Sequence, residues 1–194
     1  AFDLIVGLVA VIITLPIMLL TALAIKLDSP GPVLFVQTRV GRWGETFPLL
    51  KFRSMYVDAE ARRAELEALN EASGPVFKIR NDPRVTRVGR IIRKLSIDEL
   101  PQLFNVLNGT MSLVGPRPEV PYHVNNFKEE IPLYMVKHQV RPGITGWAQV
   151  NGFRGDTSIK GRIEHDIFYI ENWSFLFDIK ILIMTLFKGV NHNE

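Results

Sequence analysis

The chain has 194 residues, of which 47% are apolar and 22% are charged, so it is long enough to bury a core of its own and its composition excludes a disordered chain. The formal net charge at pH 7 is only +3, a small overall bias whose distribution along the chain is more informative than its size. Cysteine is absent, which excludes disulfide bonds, thiol catalysis and thiolate metal sites.

An uncharged apolar run of 22 residues separates Asp3 from Lys26. A straight helix of that length measures roughly 33 Å, which is enough to cross the hydrocarbon core of a bilayer. Pro16 lies near the middle of the run and predicts a bend, because proline removes the hydrogen bond to the carbonyl of Ile12. The hydroxyl of Thr14 is available to a loosened carbonyl inside lipid.

Two arrangements of this apolar run are compatible with a break at Pro16. A kinked helix that spans the membrane puts its ends on opposite faces, whereas a re-entrant hairpin of two short helices returns both ends to one face. Each half has about eleven residues and reaches only about half-way across a bilayer, which suits the hairpin. Kinked spans are common, and the residues alone favour spanning.

The segments that follow alternate turn signals with regular patterns. The turn residues of Asp28 to Pro32 end the membrane element. Two β-rich runs at 33–39 and 46–53, joined by a glycine-containing loop, predict a β-hairpin. Residues 56–70 are rich in Ala, Glu and Arg and predict a polar helix.

Residues 82–95 predict an amphipathic helix. Its apolar stripe consists of Val85, Val88, Ile91 or Ile92, and Leu95, and arginines recur every third residue on an adjacent face. The basic residues from this region and just before it are Lys78, Arg80, Arg84, Arg87, Arg90, Arg93 and Lys94, against one acid, Asp82. This excess indicates an anionic partner, either phosphate, nucleic acid or lipid headgroups, with a solvated helix face as the alternative.

The C-terminal half contains two Gly- and Pro-rich loops, "SLVGPRPEVPYHV" and "VRPGITGWAQVNGFRG", each with an arginine. Such loops can present N–H groups and a guanidinium to phosphate, but structural turns are at least as good an interpretation of either loop alone. Residues 173–187 predict an apolar helix with aromatic residues at its start, lying in the membrane interface or buried in the core.

Asp98 and Glu99 form an acid pair directly after the basic run. Helix capping explains them well, since Ser96 and Glu99 match the capping box, and Asp98 as the cap would place Pro101 where its missing N–H costs nothing. The chemical alternative is a carboxylate that attacks phosphorus, with metal and arginine neutralising the incoming charge. The spacing alone favours capping.

The chain also resembles the bacterial sugar transferases, the monotopic phosphoglycosyl transferases that place a sugar-1-phosphate on polyprenyl phosphate. The resemblance runs through "DSPGPVLFVQTRVGRWGETFPLLKFRSM", "DPRVTRVGRIIRKLSIDELPQLFNVLNGTMSLVGPRP", "RPGITGWAQVNG" and "DIFYIENWSFLFDIKIL". The beginning of the chain at Ala1 without a methionine and the residues of these segments resemble the catalytic portion of the family's large forms more than its small forms.

This resemblance implies an α+β fold, mainly helical with a small β-hairpin. It implies a re-entrant membrane helix over residues 1–27, broken near Pro16 with Thr14 as the nearest hydroxyl, and interfacial amphipathic helices. Residues 28–194 would form one catalytic domain at the cytoplasmic face of the bacterial inner membrane. The re-entrant arrangement replaces the spanning arrangement that the residues alone favour.

For the site, the resemblance implies that Asp98 and Glu99 are catalytic, with Mg²⁺ as the cofactor held by Asp98. Asp98 would carry the phosphosugar covalently, and Glu99 would position or deprotonate the acceptor. The residues matched to substrate-binding positions are Arg93 and Arg117, which would contact phosphate, and more weakly Lys51, Arg53, Arg141 and Gln149, which would line the site.

The implied reaction transfers a sugar-1-phosphate from a UDP-sugar to polyprenyl (undecaprenyl) phosphate and releases UMP. It is the first membrane step in the synthesis of an exopolysaccharide, capsule, O-antigen, lipopolysaccharide or other glycoconjugate. The expected partners are the UDP-sugar, polyprenyl phosphate and the membrane, with a homo-oligomer left open and nucleic acid disfavoured because no motif for it is present. The rival is a non-catalytic membrane-surface module that binds anionic lipids through helix 82–95.

Overall fold

The computed structural model describes residues 1–69, 79, 81–155 and 157–188. The α-helices are α1 (Phe2–Asp28), α2 (Arg87–Lys94), α3 (Gln102–Leu107), α4 (Pro121–Glu130), α5 (Trp147–Val150), α6 (Ile159–Glu171) and α7 (Phe175–Lys188). The strands are β1 (Leu34–Val40), β2 (Thr46–Phe52), β3 (Ser112–Val114) and β4 (Gly143–Thr145). Segments of 3-10 helix occupy Arg42–Gly44, Ala61–Leu69, Ile97–Glu99 and Tyr134–Gln139. The prediction of a mainly helical α+β fold with a small hairpin is confirmed.

The predicted hairpin is formed by β1 and β2, which pair in antiparallel fashion from Leu34 opposite Phe52 to Val40 opposite Thr46. Phe47 and Leu49 of β2 are buried against the main core. Period-2 burial of this kind is what an alternating strand pattern predicts.

The two Gly- and Pro-rich loops contain a second sheet, which the sequence analysis missed. Strands β3 and β4 pair in parallel, with Ser112 opposite Gly143 and Val114 opposite Thr145. A Cβ atom on Gly115 would lie 2.5 Å from the carbonyl oxygen of Arg141, so glycine is needed there for the two backbones to approach. The structural interpretation of these loops therefore accounts for at least this glycine.

Helix α3 lies at the centre of the core. Val106 of α3, Met111 just after it and Ile181 of α7 are completely buried and belong to one hydrophobic cluster. Asn105, also completely buried, ties α3 to β2: its Oδ1 accepts a hydrogen bond from the backbone N of Leu50 at 3.0 Å, and its Nδ2 donates to the carbonyl of Pro48 at 2.8 Å. Helix and hairpin are thereby fixed in one register.

Helix α1 is a single helix of 27 residues with Pro16 inside it. The predicted break into two short helices near Pro16 is therefore not present, because proline removes one hydrogen bond while the helix continues on both sides of it. The helix is long and apolar enough to cross a membrane by length and composition. Both of its ends bind the same globular unit. At the start, Asp3 Oδ2 accepts hydrogen bonds from Ser112 Oγ at 2.9 Å and from Arg141 Nη2 at 2.8 Å. At the end, Asp28 Oδ2 accepts one from the backbone N of Val88 at 3.0 Å.

The outward face of α1 is apolar and exposed. Its exposed large residues are Leu4, Ile5, Leu8, Val9, Ile12, Ile13, Leu15, Ile17, Leu19, Leu20, Leu23 and Leu27. The hydroxyl of Thr14 donates to the carbonyl of Ala10 at 2.7 Å, and so it does not serve the Ile12 carbonyl that Pro16 leaves without its usual donor. An apolar surface of this extent on one helix is typical of membrane contact.

Two predicted helices differ from expectation. The polar segment 56–70 forms 3-10 turns over Ala61–Leu69, and residue 70 lies outside the described residues; propensity without an apolar face to bury does not secure an α-helix. Helix 82–95 is shorter, because Thr86 caps it by accepting a hydrogen bond from the backbone N of Gly89 at 2.8 Å.

The shorter α2 changes the assignment of its side chains. Arg84 precedes the helix, is buried and pairs with Asp82 at 2.6 Å, so it does not belong to the predicted basic face. Ile91 and Leu95 are 59% and 61% exposed, and so they are absent from the buried stripe, which consists of Val88 and Ile92. Exposed apolar side chains beside exposed basic ones suit a bilayer surface.

The predicted helix at 173–187 is present as α7. One side packs into the core through Ile181, Phe177 and Leu182. The other side exposes Leu176, Leu186 and further apolar residues. The core environment is therefore confirmed for one side of the helix, and the membrane interface stays a prediction for the exposed apolar side.

We expect Gly89→Ala to lower the free energy of unfolding by about 1–3 kcal/mol, because the new Cβ would overlap the carbonyl of Ser54 and push α2 outward. Gly7→Ala is the matched control: it lies within α1, and its Cβ would meet only ordinary contacts at 3.4 Å with Leu107 and Val106. Thermal unfolding of both variants measures the difference. Equal effects would contradict the close packing of α2.

Candidate active site

The acid pair lies on a single 3-10 turn, Ile97–Glu99, between α2 and α3. Ser96 enters this turn with a φ of 54° and its side chain makes no capping hydrogen bond. Helix α3 begins at Gln102 with Pro101 as its N-cap. The capping interpretation is therefore wrong for both Ser96 and Asp98, and the left-handed backbone at a non-glycine residue is of the kind that clusters at functional sites.

Glu99 is held by two cations. Its Oε1 lies 2.9 Å from Nζ of Lys51 and accepts a hydrogen bond from it, and Nη2 of Arg117 lies 3.4 Å from the same oxygen. Burial alone would raise the pKa of Glu99, but Arg117 and Lys51 lower it to about 2. Glu99 is thus ionised throughout the physiological range and its carboxylate is fixed in place.

The environment of Asp98 shifts its pKa in the opposite direction to that of Glu99. Across the described part of the chain, no other side chain donates a hydrogen bond to its carboxylate. Burial raises its pKa to about 6, with a further contribution from Glu99, while Lys51 and Arg93 act in the opposite direction. Adjacent carboxylates whose environments push their pKa values apart are suited to different chemical roles.

The acid pair Asp98 and Glu99, called the dyad below, is surrounded by an excess of positive charge. Lys51 comes from β2, Arg93 from the last turn of α2 and Arg117 from the loop after β3. Arg154 also lowers the pKa of Glu99 through its field. These four cations face two carboxylates, so the site retains positive charge for a phosphate-bearing ligand.

The other residues predicted to line the site have their hydrogen bonds and ion pairs with groups other than the two acids. Arg53 is buried and donates hydrogen bonds to the carbonyls of Pro32 at 2.6 Å and Ser29 at 2.9 Å, at the end of α1. Arg141 pairs with Asp3 at the start of α1. Both residues secure α1, and their contact with substrate stays a prediction.

Gln149 is buried in α5, where its Nε2 donates a hydrogen bond to the carbonyl of Ile144 at 3.2 Å. Its role in the site likewise stays a prediction. Lys78 and Arg80, from the predicted basic run, lie outside the described residues.

Sequence reasoning missed three charged residues near the dyad. Arg154 acts on Glu99 through its field, and so does Arg39 of β1, whose own pKa is lowered first by burial and then by Arg117. Glu119, two residues after Arg117, is buried among cations. The signals for them were the two Gly- and Pro-rich loops, of which the first contains Glu119 and the second contains Arg154. Arg39 lies within a β-rich run and carried no signal.

The dyad supplies few ligands for a metal. No group of three or more His, Cys, Asp or Glu side chains able to hold a metal ion occurs among residues 1–69, 79, 81–155 and 157–188. Asp98 fits as a single hard oxygen ligand, because Glu99 is already engaged by Lys51. Mg²⁺ commonly binds through one or two carboxylates together with substrate phosphates and water, so the donor set fits a metal that arrives with a phosphorylated ligand.

A family model described as bacterial sugar transferase matches residues 1–192. The chain belongs to the bacterial sugar transferase family. Within this family it is 46% identical, over 97% of its length, to the UDP-glucose:undecaprenyl-phosphate glucose-1-phosphate transferase of Escherichia coli K12. It is 48% identical, over 95% of its length, to the UDP-N-acetylgalactosamine-undecaprenyl-phosphate N-acetylgalactosaminephosphotransferase of Aeromonas hydrophila.

Family members differ in length. The chain covers 39% of the Escherichia coli relative and 41% of the Aeromonas relative, so it spans about two fifths of these proteins. It is also 42% identical, over 100% of its length, to the exopolysaccharide production protein PSS of Rhizobium leguminosarum bv. phaseoli, and covers 96% of that relative. The region with the dyad is therefore shared by long and short members.

We expect substitutions of the two acids to change stability with opposite signs. The folded pKa of Asp98, about 6, exceeds its ordinary value of 3.8, so its ionised form destabilises the fold fully above about pH 6 and not at all below about pH 4. Asp98→Asn should raise the free energy of unfolding at pH 7.5 by about 1–3 kcal/mol. Thermal unfolding in metal-free buffer at pH 7.5 and pH 4 measures the change.

Glu99→Gln is the matched comparison. The folded pKa of Glu99, about 2, lies below its ordinary value of 4.5, so its ionised form stabilises the fold above about pH 4.5, and this stabilisation is lost as the pH falls toward 2. Glu99→Gln should lower the free energy of unfolding at pH 7.5, because it removes this stabilising charge and leaves Lys51 without its ion-pair partner. Destabilisation by both substitutions at pH 7.5 would contradict the division between the two carboxylates.

Proposed function

We propose that this chain transfers a sugar-1-phosphate from a UDP-sugar to polyprenyl (undecaprenyl) phosphate through a covalent phosphosugar on Asp98. The observation that carries the proposal is the unequal setting of two adjacent carboxylates: Glu99 is held by Lys51 and Arg117, whereas Asp98 accepts no hydrogen bond from another described side chain. The names of the relatives support the reaction class, since they act on UDP-glucose or UDP-N-acetylgalactosamine with undecaprenyl phosphate.

In the first step, a carboxylate oxygen of Asp98 attacks the phosphorus that bears the sugar. A P–O bond forms to Asp98 while the bond from that phosphorus to the oxygen bridging it to the UMP phosphate breaks. UMP leaves with the bonding electron pair, so no proton transfer is required. The cations Arg93 and Arg117 would offset the charge of the diphosphate, without which an anion would repel the attacking carboxylate.

In the second step, a phosphate oxygen of the polyprenyl phosphate attacks the same phosphorus. The acyl phosphate bond to Asp98 breaks, the carboxylate is regenerated, and the product is a polyprenyl-diphospho-sugar. An acyl phosphate is reactive enough to pass its phosphosugar to another phosphate. A covalent intermediate of this kind divides one difficult step into two easier ones.

Glu99 would act by charge and position. With a pKa near 2 it is a poor proton acceptor at neutral pH, and an ionised acceptor phosphate does not need a base. Its carboxylate orients Lys51 and Arg117 toward the phosphates, and this function replaces the deprotonating one. When bound, Mg²⁺ would neutralise diphosphate charge, with Asp98 as its protein ligand.

We propose a monotopic arrangement in which the continuous helix α1 stays at one face of the membrane, with both of its ends on that side. The supporting observation is that Asp3 and Asp28, at opposite ends of α1, bind the same globular unit. The exposed apolar sides of α1 and α7 and the exposed Ile91 and Leu95 of α2 would contact lipid. Such an anchor lets one site meet a soluble donor and a lipid-borne acceptor, with fixed placement replacing a search in three dimensions.

For location, we propose the cytoplasmic face of the bacterial inner membrane, because that face is in contact with the soluble UDP-sugar donor. For the pathway, the Rhizobium relative is named for exopolysaccharide production, and this chain would catalyse the corresponding first membrane step. The rival function, a surface module that only binds anionic lipids, would leave the low pKa of Glu99 and the raised pKa of Asp98 without use.

We expect the enzyme and a suitable UDP-sugar, without any lipid acceptor, to release UMP in an amount equal to the enzyme concentration. Asp98→Asn should abolish this burst, because an amide cannot form the acyl phosphate. Rapid quenching followed by chromatography of nucleotides measures UMP, and mass spectrometry of the peptide containing residue 98 measures the added phosphosugar.

Glu99→Gln is the control for this burst, since it removes the neighbouring charge and keeps the nucleophile. It should slow the burst and leave its amplitude intact. UMP formation that requires both substrates at once would replace the covalent mechanism with direct displacement.

The arrangement of α1 is testable because the chain has no cysteine. We expect single cysteines in Ala1→Cys and Pro30→Cys to react with a membrane-impermeant maleimide from the same side of oriented vesicles. Both positions flank α1 and are exposed. Labelling from opposite sides would establish a spanning helix instead.

A further inference from the structure

A second group of buried charges adjoins the dyad. Glu119 is 8% exposed, and its Oε1 accepts a hydrogen bond from Nη1 of Arg162 at 2.7 Å. Nη1 of Arg39 lies 4.0 Å from its Oε2. Lys137, which is 3% exposed, and Arg117 act on the same carboxylate through their fields. Four cations from separate segments therefore converge on one acid.

The segment that carries Arg117 is held at its backbone. Prolines flank Arg117 on both sides and fix two neighbouring φ angles. The carbonyl of Pro118 accepts a hydrogen bond from Nη1 of Arg39 at 3.1 Å, and the carbonyl of Glu119 accepts one from the backbone N of Val40 at 2.9 Å. The segment is thus fastened to the end of β1 directly after Arg117.

Arg39 is itself oriented. Its Nε and Nη2 donate hydrogen bonds to Oε1 of Gln37 at 3.1 Å and 2.6 Å. The remaining Nη1 serves both the Pro118 carbonyl and the side chain of Glu119. Arg39 consequently links the backbone beside Arg117 to the carboxylate at the centre of the charge group.

The charge on Glu119 is needed to keep these cations together. Without it, Arg39, Arg117 and Arg162 would repel one another in surroundings where buried charges are weakly screened. Since Arg117 contacts Glu99 at 3.4 Å, a displacement of Arg117 would change the setting of the dyad. A misplacement of about 1 Å at such a site is enough to cost about a hundredfold in rate.

We propose that Glu119 is a positioning residue, which acts with Arg39 to hold the guanidinium of Arg117 against Glu99 and toward the donor's phosphates. This inference rests on the proposed function. Glu119 acts through Arg117 and does not itself touch the substrate.

The charged groups around both acids decide which substitutions can be compared. Those facing the dyad are Lys51 of β2, Arg93 of α2, Arg117 and Arg154. Those around Glu119 are Arg39 of β1, Arg162 and Asp166 of α6, Lys137, Arg117, and His123 of α4. Arg117 belongs to both groups, so a role of Glu119 that acts through Arg117 must disappear when Arg117 is replaced.

The experiment measures the rate of UMP release in a single turnover at one fixed pH, with full-length enzyme and a saturating UDP-sugar. Glu119→Gln removes the charge that holds the cations together and should slow this rate about 10–100-fold. Arg39→Gln releases the carbonyl of Pro118 beside Arg117 and should slow the rate as well. Glu119→Asp keeps the charge and should keep most of the wild-type rate.

A double-mutant cycle separates action through Arg117 from a merely structural role. In an Arg117→Gln background, Glu119→Gln should cause no more than about a threefold further loss, because the guanidinium that it positions is absent. Asp178→Asn is the control, since this acid bonds Tyr169 and Trp173 outside the charge group, and its rate should stay at the wild-type value.

The positioning role is overturned if the losses from Glu119→Gln and Arg117→Gln multiply in the double variant, or if Glu119→Gln keeps the wild-type rate. Should Glu119→Gln fail to fold, the same cycle with Arg39→Gln decides. A wild-type enzyme that releases no UMP from any UDP-sugar would remove the proposed function itself, a result distinct from a wild-type burst with multiplying losses in the variants.

Discussion

The ion pair between Lys51 and Glu99, 2.9 Å long, joins the hairpin to the turn that carries both acids. Asn105 of α3, the helix that follows this turn, binds the hairpin at the backbone of Leu50 and Pro48. Glu99 is committed to this pair and to Arg117, whereas the adjacent Asp98 accepts no hydrogen bond from another described side chain and burial raises its pKa. The distinction between the two carboxylates, and hence the chemistry proposed for them, depends on these contacts of Glu99 and on the burial of Asp98.

The same globular unit also controls the apolar helix. Asp3 is bound by Ser112 and Arg141 at one end of α1, and Asp28 by Val88 at the other. Ionised side chains at both ends belong in water or at headgroup depth, since burying an unpaired charge in hydrocarbon is costly. The proposed anchor, with both ends on one side, would place the dyad at the level where a lipid phosphate and a soluble nucleotide meet.

Sequence patterns succeeded where structure is local. The two β-rich runs joined by a glycine-containing loop predicted the hairpin, and the apolar run predicted α1, because each pattern reflects local residues. They failed where distant segments decide the outcome. The capping box at Ser96 and Glu99 was wrong because Lys51 and Arg117 engage Glu99 instead, and the parallel pairing of β3 with β4 was missed because their partners are far apart in the chain.

By itself, the sequence determined the apolar anchor, the hairpin, the basic region before the acids and, through its motifs, the family. Only the tertiary structure decided which carboxylate is held and which is available. It also decided that Arg84 is buried with Asp82, whereas Arg93 acts on Asp98. The convergence of cations from four segments on Glu119 likewise depends on the tertiary structure. The physical reason is that periodicity and propensity act within one element, whereas a pKa depends on burial and on charges that folding brings from elsewhere in the chain.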